Sequence, residues 1–298
     1  MKATKINVPK FRLTHLPRLF IDTSKAWLAK DPFRLSAVVA YYAILSLPAL
    51  LILVLDLVGA VWGREIVHGQ LTSELTSAFG AETSEFIKEI MTKKGDANTS
   101  FFATVLGVGS LLYGATGVFY QLQNVMDDIW ETQPNYSNGI IATLIGRLKS
   151  FGFILIIGFL LLISFVLTSG LSAFSERISR SMSEGFLSLA YIIDVVVSLS
   201  FIYFLFAAMF SFLPSTRVRW RAVRSGAALT ALLFVAGKYL LAFYFAQAEP
   251  GSTYGAAGSI IIIMLWVSYT SLILFFGAQF TKIFSDRYGL TTKPPVPA

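Results

Sequence analysis

The chain has 298 residues, of which 55% are hydrophobic and only 14% charged, and its mean hydropathy is +0.67. That balance excludes an ordinary soluble domain and points to a membrane protein. The formal charge of +7 has to be placed along the chain before it is assigned to a partner, and the absence of cysteine excludes disulfides, thiolate metal sites and cysteine catalysis.

The first 35 residues are basic throughout and lack a compact apolar region followed by a small-residue cleavage site, so a signal peptide is not expected there. Leu16, Leu19, Phe20 and Trp27 fall on one helical side, with Arg18, Asp22 and Lys25 on the other. This segment is expected to be an amphipathic helix on the inner membrane surface. Asp31 followed by Pro32 reads as a helix start.

A helix needs about 20 apolar residues to cross roughly 30 Å of hydrocarbon. Six stretches qualify, near 36–62, 100–123, 150–171, 187–213, 225–247 and 256–281, and none alternates as a strand would. The expected fold is all-α: a six-helix transmembrane bundle over 31–285, an outer helical segment at 63–99 and a cytoplasmic tail at 286–298. Of the 24 Lys and Arg, 17 lie on the side that holds both termini, which places both ends in the cytoplasm. Arg217, Arg219, Arg221 and Arg224 around Trp220 belong to that side. They read as a loop at anionic headgroups rather than a nucleic-acid patch.

The first span carries Tyr41, Tyr42, Ser46 and Pro48. Proline removes the amide that would bond to the carbonyl of Ile44 and kinks the helix, leaving a carbonyl for Ser46 or a neighbouring helix to satisfy. On the second span Ala103, Gly107, Ser110, Gly114 and Gly117 form a small-residue packing seam, and the same spacing continues into Gln121, Asn124 and Asp128. Asp56, Asp194 and Lys238 lie at similar depth in the outer halves of their spans, so a shared polar pocket is expected, with snorkelling to the interface as the alternative.

"LSAVVAYYAILSLPALLIL", "VFYQLQNVMDDIW" and "YGAAGSIIIIMLWVSYTSLILFFGAQFTK", in that order over about 20–285, resemble the YihY/virulence factor BrkB family, also labelled ribonuclease BN-like. By that resemblance Tyr41, Tyr42, Ser46 and Pro48 match the first motif, Asn124 the second, and Tyr254, Gly255, Trp266, Gly277 and Gln279 the third. Many relatives carry glutamate where this chain has Gln279, so a mechanism that used the carboxylate would not transfer. The resemblance implies a cell-membrane protein, in the inner membrane of a Gram-negative source.

Two functions follow as expectations. One is translocation of a lipid, another amphiphile or a small solute along Tyr41, Tyr42, Ser46, Pro48, Asp56, Gln121, Asn124, Asp194, Lys238 and Gln279. The other is a non-transporting scaffold of an envelope or secretion assembly. Membrane lipids are the expected partners, with no nucleic acid, cofactor or metal, and the oligomeric state is left open. An enzyme is not expected: His15 and His68 fall on opposite sides of the membrane, and Asp127, Asp128 and Glu131 read as a solvated helix end.

Overall fold

The computed structural model describes residues 13–46, 116–132, 152, 184–248 and 258–290. A 3-10 turn at Leu13–His15 leads into α1, Leu16–Ala29. Helix α2 is described over Pro32–Ser46 and α3 over 116–129; α4 spans Glu184–Phe212, α5 Trp220–Ala248 and α6 Gly258–Arg287. Among the described residues there is no strand. Two helices are long and apolar enough to cross a membrane, Trp220–Phe245 and Gly258–Arg287, beside shorter apolar helices at Pro32–Ser46 and Ser198–Phe212.

Helix α5 packs along both α4 and α6, and α1 packs on the end of α6. The side of α1 that carries Leu19, Phe20 and Trp27 is turned onto protein. Leu19 is fully buried, Phe20 meets Phe276 and Phe280, and Trp27 stands edge-on to Phe276 at a centroid distance of 5.8 Å. Its polar side supplies Arg18 and Lys25, both exposed, and Asp22, which lies 3.6 Å from Arg287. His15 Nδ1 and the Tyr288 hydroxyl, 2.9 Å apart, tie the start of α1 to the end of α6. The amphipathic pattern thus serves helix packing, since burying apolar area drives α1 onto α6.

Helix α2 starts at Pro32, as the Asp-Pro pair predicts. The carbonyl of Asp31 accepts the Leu35 N–H at 3.2 Å, but its carboxylate accepts from Arg34 Nε at 2.9 Å rather than capping the backbone. Asp31, between α1 and α2, stands at φ 52, a left-handed conformation.

Helices α5 and α6 approach closely at paired glycines. "GAALT" at 226–230 and "GAQFT" at 277–281 place Thr281 over Gly226 and Thr230 over Gly277, so that a Cβ added at either glycine would overlap the facing threonine hydroxyl. Each threonine turns its hydroxyl onto the carbonyl of the glycine four residues earlier in its own helix, Thr230 to Gly226 and Thr281 to Gly277, both at 2.7 Å. Bonded in this way, the hydroxyls need no partner across the crossing. The flanking Ala227 and Ala278 are fully buried. Small residues let the backbones come together, and contact dispersion holds them in an environment where lipid offers no hydrophobic drive between helices. The described end of the predicted second-span seam is looser: a Cβ at Gly117 would meet Tyr42 Cδ1 at an ordinary 3.7 Å. Ala103, Gly107, Ser110 and Gly114 lie outside the described residues, as do Pro48 and Asp56.

Candidate functional site

The start of α2, the ends of α3, α4 and α6, and the start of α5 meet at one end of the bundle, covered by α1. Asp127 organises it. This carboxylate is buried on the last turn of α3, where Oδ1 accepts the Ser215 N–H at 2.6 Å and the Thr132 hydroxyl at 3.2 Å, and Oδ2 accepts the Ser215 hydroxyl at 2.7 Å. Gln123 Nε2 donates to the same Ser215 oxygen at 3.3 Å. One carboxylate therefore pins the turn between α4 and α5 to the end of α3, using the charge-assisted bonds that make burial of an acid tolerable.

Helix α3 ends in a Schellman motif: Thr132 N–H donates to the Asp127 carbonyl and Glu131 N–H to that of Asp128. The left-handed position, φ 51, is occupied by Glu131, whereas the equivalent turn after α6 uses Gly289 at φ 59. A glutamate here carries backbone strain that glycine avoids, and it brings a carboxylate to Lys282 Nζ at 2.6 Å. Lys30, at the end of α1, donates to the Asp128 carbonyl at 3.0 Å and lies 3.4 Å from its carboxylate. Two ion pairs thus cross the end of α3, one to α1 and one to α6.

The hydrogen bond from Lys282, reinforced by its charge, holds the Glu131 carboxyl below its ordinary value of 4.5. A lowered carboxyl stabilises the fold at pH above that ordinary value, and the contribution disappears as pH falls through the lowered one. The pair is partly exposed, so Glu131→Gln is expected to lower stability at neutral pH by less than about 1 kcal/mol. The gap between variant and parent should close on acidification below pH 4.5. Thermal unfolding in detergent at both pH values checks this; an equal gap at both would place the effect elsewhere.

Four buried side-chain polar atoms are without a hydrogen-bond partner among the described residues: Thr23 Oγ1, Trp27 Nε1, Trp130 Nε1 and Gln279 Oε1. Three sit close to an ion-pair residue in sequence. Trp27 precedes Lys30 by one turn, Gln279 precedes Lys282 by one turn, and Trp130 adjoins Glu131. Successive residues of a helix turn by about 100°, so Gln279 points about 60° from Phe276 on one side and about 60° from Lys282 on the other. Phe276 touches α1 through Trp27, and Lys282 touches the end of α3 through Glu131. Gln279 therefore faces the junction of α1, α3 and α6.

The other described path residues belong to α2, α3, α4 and α5. Ser46 is buried and bonds the carbonyl of Ala43 in its own helix at 3.2 Å, rather than that of Ile44. Tyr41 and Tyr42 are exposed and stand edge-on to each other, Gln121 is half-buried, and Asn124 and Lys238 are exposed. Asp194 belongs to α4. Of the acidic trio, the sequence reading of a solvated end fits the exposed Asp128 and Glu131, whereas Asp127 is buried. No three metal-ligating side chains converge among the described residues. The Asp127–Ser215 tie and the paired glycines were missed in the sequence. The repeated G-A-x-x-T was the available signal for the glycines, and nothing local announces a bond between residues 88 apart in the chain.

The profile of the Virulence factor BrkB family matches residues 23–297, nearly the whole chain, including Lys30, Asp127, Asp128, Glu131, Ser215 and Lys282. The chain belongs to that family. BrkB-family similarity extends to curated proteins named UPF0761 membrane proteins. The one from Psychromonas ingrahamii is 24% identical over 95% of this chain and 92% of its own. The one from Idiomarina loihiensis is 24% identical over 78% and 76%. The one from Mannheimia succiniciproducens is 28% identical over 61% of each. No solved structure matches the chain. The protein is thus a membrane protein of the BrkB family, and the motif resemblance read from spans one, two and six holds.

Proposed function

We propose that this BrkB-family protein crosses the cell membrane six times with both termini in the cytoplasm, and that it moves a lipid, another amphiphile or a small solute across it. In a Gram-negative source the membrane would be the inner one. The supporting observation is the set of unpartnered buried polar atoms carried by α1, α6 and the end of α3. A buried group without a hydrogen bond costs about 1–3 kcal/mol, and a membrane protein that retains several on helices that touch one another is using them for something other than stability. The same helices are joined by the ion pairs Lys30–Asp128 and Lys282–Glu131, which rearrangement can break, as alternating access requires. On this reading Gln279 belongs to the path and α1 sits at the inner interface. Lys238, Asp56 and Asp194 would serve the opposite end. A catalytic role is disfavoured, because Asp127, Asp128 and Glu131 are engaged by Ser215, Lys30 and Lys282.

The test is transbilayer movement of labelled phospholipid in liposomes holding the purified protein. Gln279→Leu removes the unpartnered carbonyl while keeping side-chain bulk, so the variant should be at least as stable as the parent. Movement above protein-free liposomes that falls severalfold in this variant is the expected result; equal movement would remove Gln279 from the path. A scaffold is the second reading, favoured by the exposed apolar face of α5 at Leu232, Tyr239, Leu240 and Phe243. It predicts a stoichiometric crosslinked partner on that face and no flux.

A further inference from the structure

We propose that one face of α6, running through Ser268, Ser271 and Gln279, is a track for polar groups of zero net charge, and that the ring of Phe275 divides it in two. The inference rests on the translocation reading and assigns the lining of its path.

The first observation is periodicity. Successive helical residues turn by about 100°, so Met264, Ser268, Ser271, Phe275, Gln279 and Lys282 fall within about 80° of one another on α6. Ile273, Gly277 and Thr281 occupy the side that meets α5, and Phe276 and Phe280 the side that meets α1. The arc between leads to the end of α3, where Lys282 meets Glu131. Polar side chains of a membrane-crossing helix face the bundle interior or a wet cavity.

The second is burial. Met264, at the end of the arc away from the basic residues, is 37% exposed, and Ser268 is half-buried. Exposure falls to 4% at Ser271 and 1% at Phe275, then rises through 4% at Gln279 to 16% for the Lys282 side chain. Phe275 is the deepest point of the arc and belongs to the same apolar cluster as Val125, Met126 and Ile129 of α3. Ser271 and Gln279 stand about 6 Å to either side of it along the axis. An apolar ring between two polar stretches is a constriction that gates by dewetting.

The third is chemistry. Gln279, buried on this arc, has an Oε1 without a hydrogen-bond partner. The serines supply hydroxyls that both donate and accept, and the one charge on the arc, Lys282, is neutralised by Glu131. Thr230 and Thr281 at the α5 crossing differ, since both spend their hydroxyls on their own helices. Water, hydroxyls, amides and a zwitterionic head find partners along the arc, whereas a bare ion finds no counter-charge.

The chain contains no cysteine, so single introduced thiols report access. Ser271→Cys and Gln279→Cys place one on each side of Phe275. Thr281→Cys, fully buried on the α5 side and nearer the basic end than either, is the control. Exposed Lys25→Cys marks which face of a sealed vesicle holds the basic end. The probe is a membrane-impermeant, uncharged glycosyl methanethiosulfonate, applied from each face in turn. Ser271→Cys is expected to react at least about tenfold faster from the face away from the basic end, Gln279→Cys about tenfold faster from the basic face, and Thr281→Cys from neither. Phe275→Leu keeps the position apolar but removes the ring, and should let Ser271→Cys react from the basic face as well. The anionic sulfonatoethyl reagent, although smaller, should react with Ser271→Cys at least about tenfold more slowly once each rate is divided by that with a free thiol, because a bare charge is disfavoured within a span.

Inert Ser271→Cys or Gln279→Cys overturns the track. So does Thr281→Cys reacting as fast as Gln279→Cys, since access would then come from a loosened bundle. Equal reaction from both faces in the parent, or unchanged sidedness in Phe275→Leu, removes Phe275 as the divide. Equal relative rates with the anionic reagent remove the preference for uncharged groups.

Labelling needs no transport, so the two proposals fail separately. Lipid movement with inert thiols removes the track and leaves translocation standing. Sided labelling without lipid movement upholds the track and removes the amphiphile reading.

Discussion

Gly277→Ala is expected to destabilise the protein by about 1–3 kcal/mol, the usual range for overpacking a tight contact. The sign is opposite to what the substitution does in an unpacked helix, where alanine is better than glycine by about 1 kcal/mol. Geometry decides between them. The added methyl would run into Thr230 Oγ1 and stand 3.0 Å from Phe210 Cζ, and neither can retreat, because Thr230 and Phe210 are fully buried. Gly226→Ala should behave alike against Thr281. Thr230→Ala removes the first obstruction, so the double variant Gly277→Ala/Thr230→Ala should recover part of the loss, a non-additivity that a double-mutant cycle reads directly. Gly117→Ala is the control: its methyl finds Tyr42 at contact distance and should leave the unfolding midpoint unchanged or raised. A Gly277→Ala protein as stable as its parent would mean that the α5–α6 approach is wider than described.

Asp127→Ala should lower stability by about 2–3 kcal/mol, since it removes charge-assisted bonds to both the backbone and the hydroxyl of Ser215. Asp127→Asn keeps one carbonyl for the Ser215 N–H and presents an NH₂ to the Ser215 oxygen, so it should lose less. Thermal unfolding in detergent gives the ranking parent, Asn, Ala. Limited proteolysis should show cleavage in the 213–219 turn rising in the same order. If Asn is as damaging as Ala, negative charge rather than bonding geometry is what the site requires.

Much of this was readable from the chain because membrane sequences speak through long-range hydropathy and spacing. The apolar stretches at 187–213, 225–247 and 256–281 coincide with α4, α5 and α6, although α5 and α6 extend beyond them at their basic ends. Those extra turns carry Arg221, Arg224 and Arg287, which hydropathy trims although the backbone continues helically. The start of α2 was visible because Asp-Pro is a local signal. The site was less visible. Its defining property is that Gln279, Trp27 and Trp130 lack partners, and that depends on which helices meet there. Asp127 was misjudged for the same reason: an acid at a helix end looks solvated until a remote serine is folded over it.

The threonines of the α5–α6 crossing spend their hydroxyls within their own helices, so that joint contains nothing for protons or ions to act upon. The end of α3 is also joined to α1 and α6 by ion pairs, and these weaken with added salt. The bundle therefore joins its helices in two ways: a fit between α5 and α6 that ignores the solution, and charged ties at the end of α3 that the composition of the surrounding water can loosen.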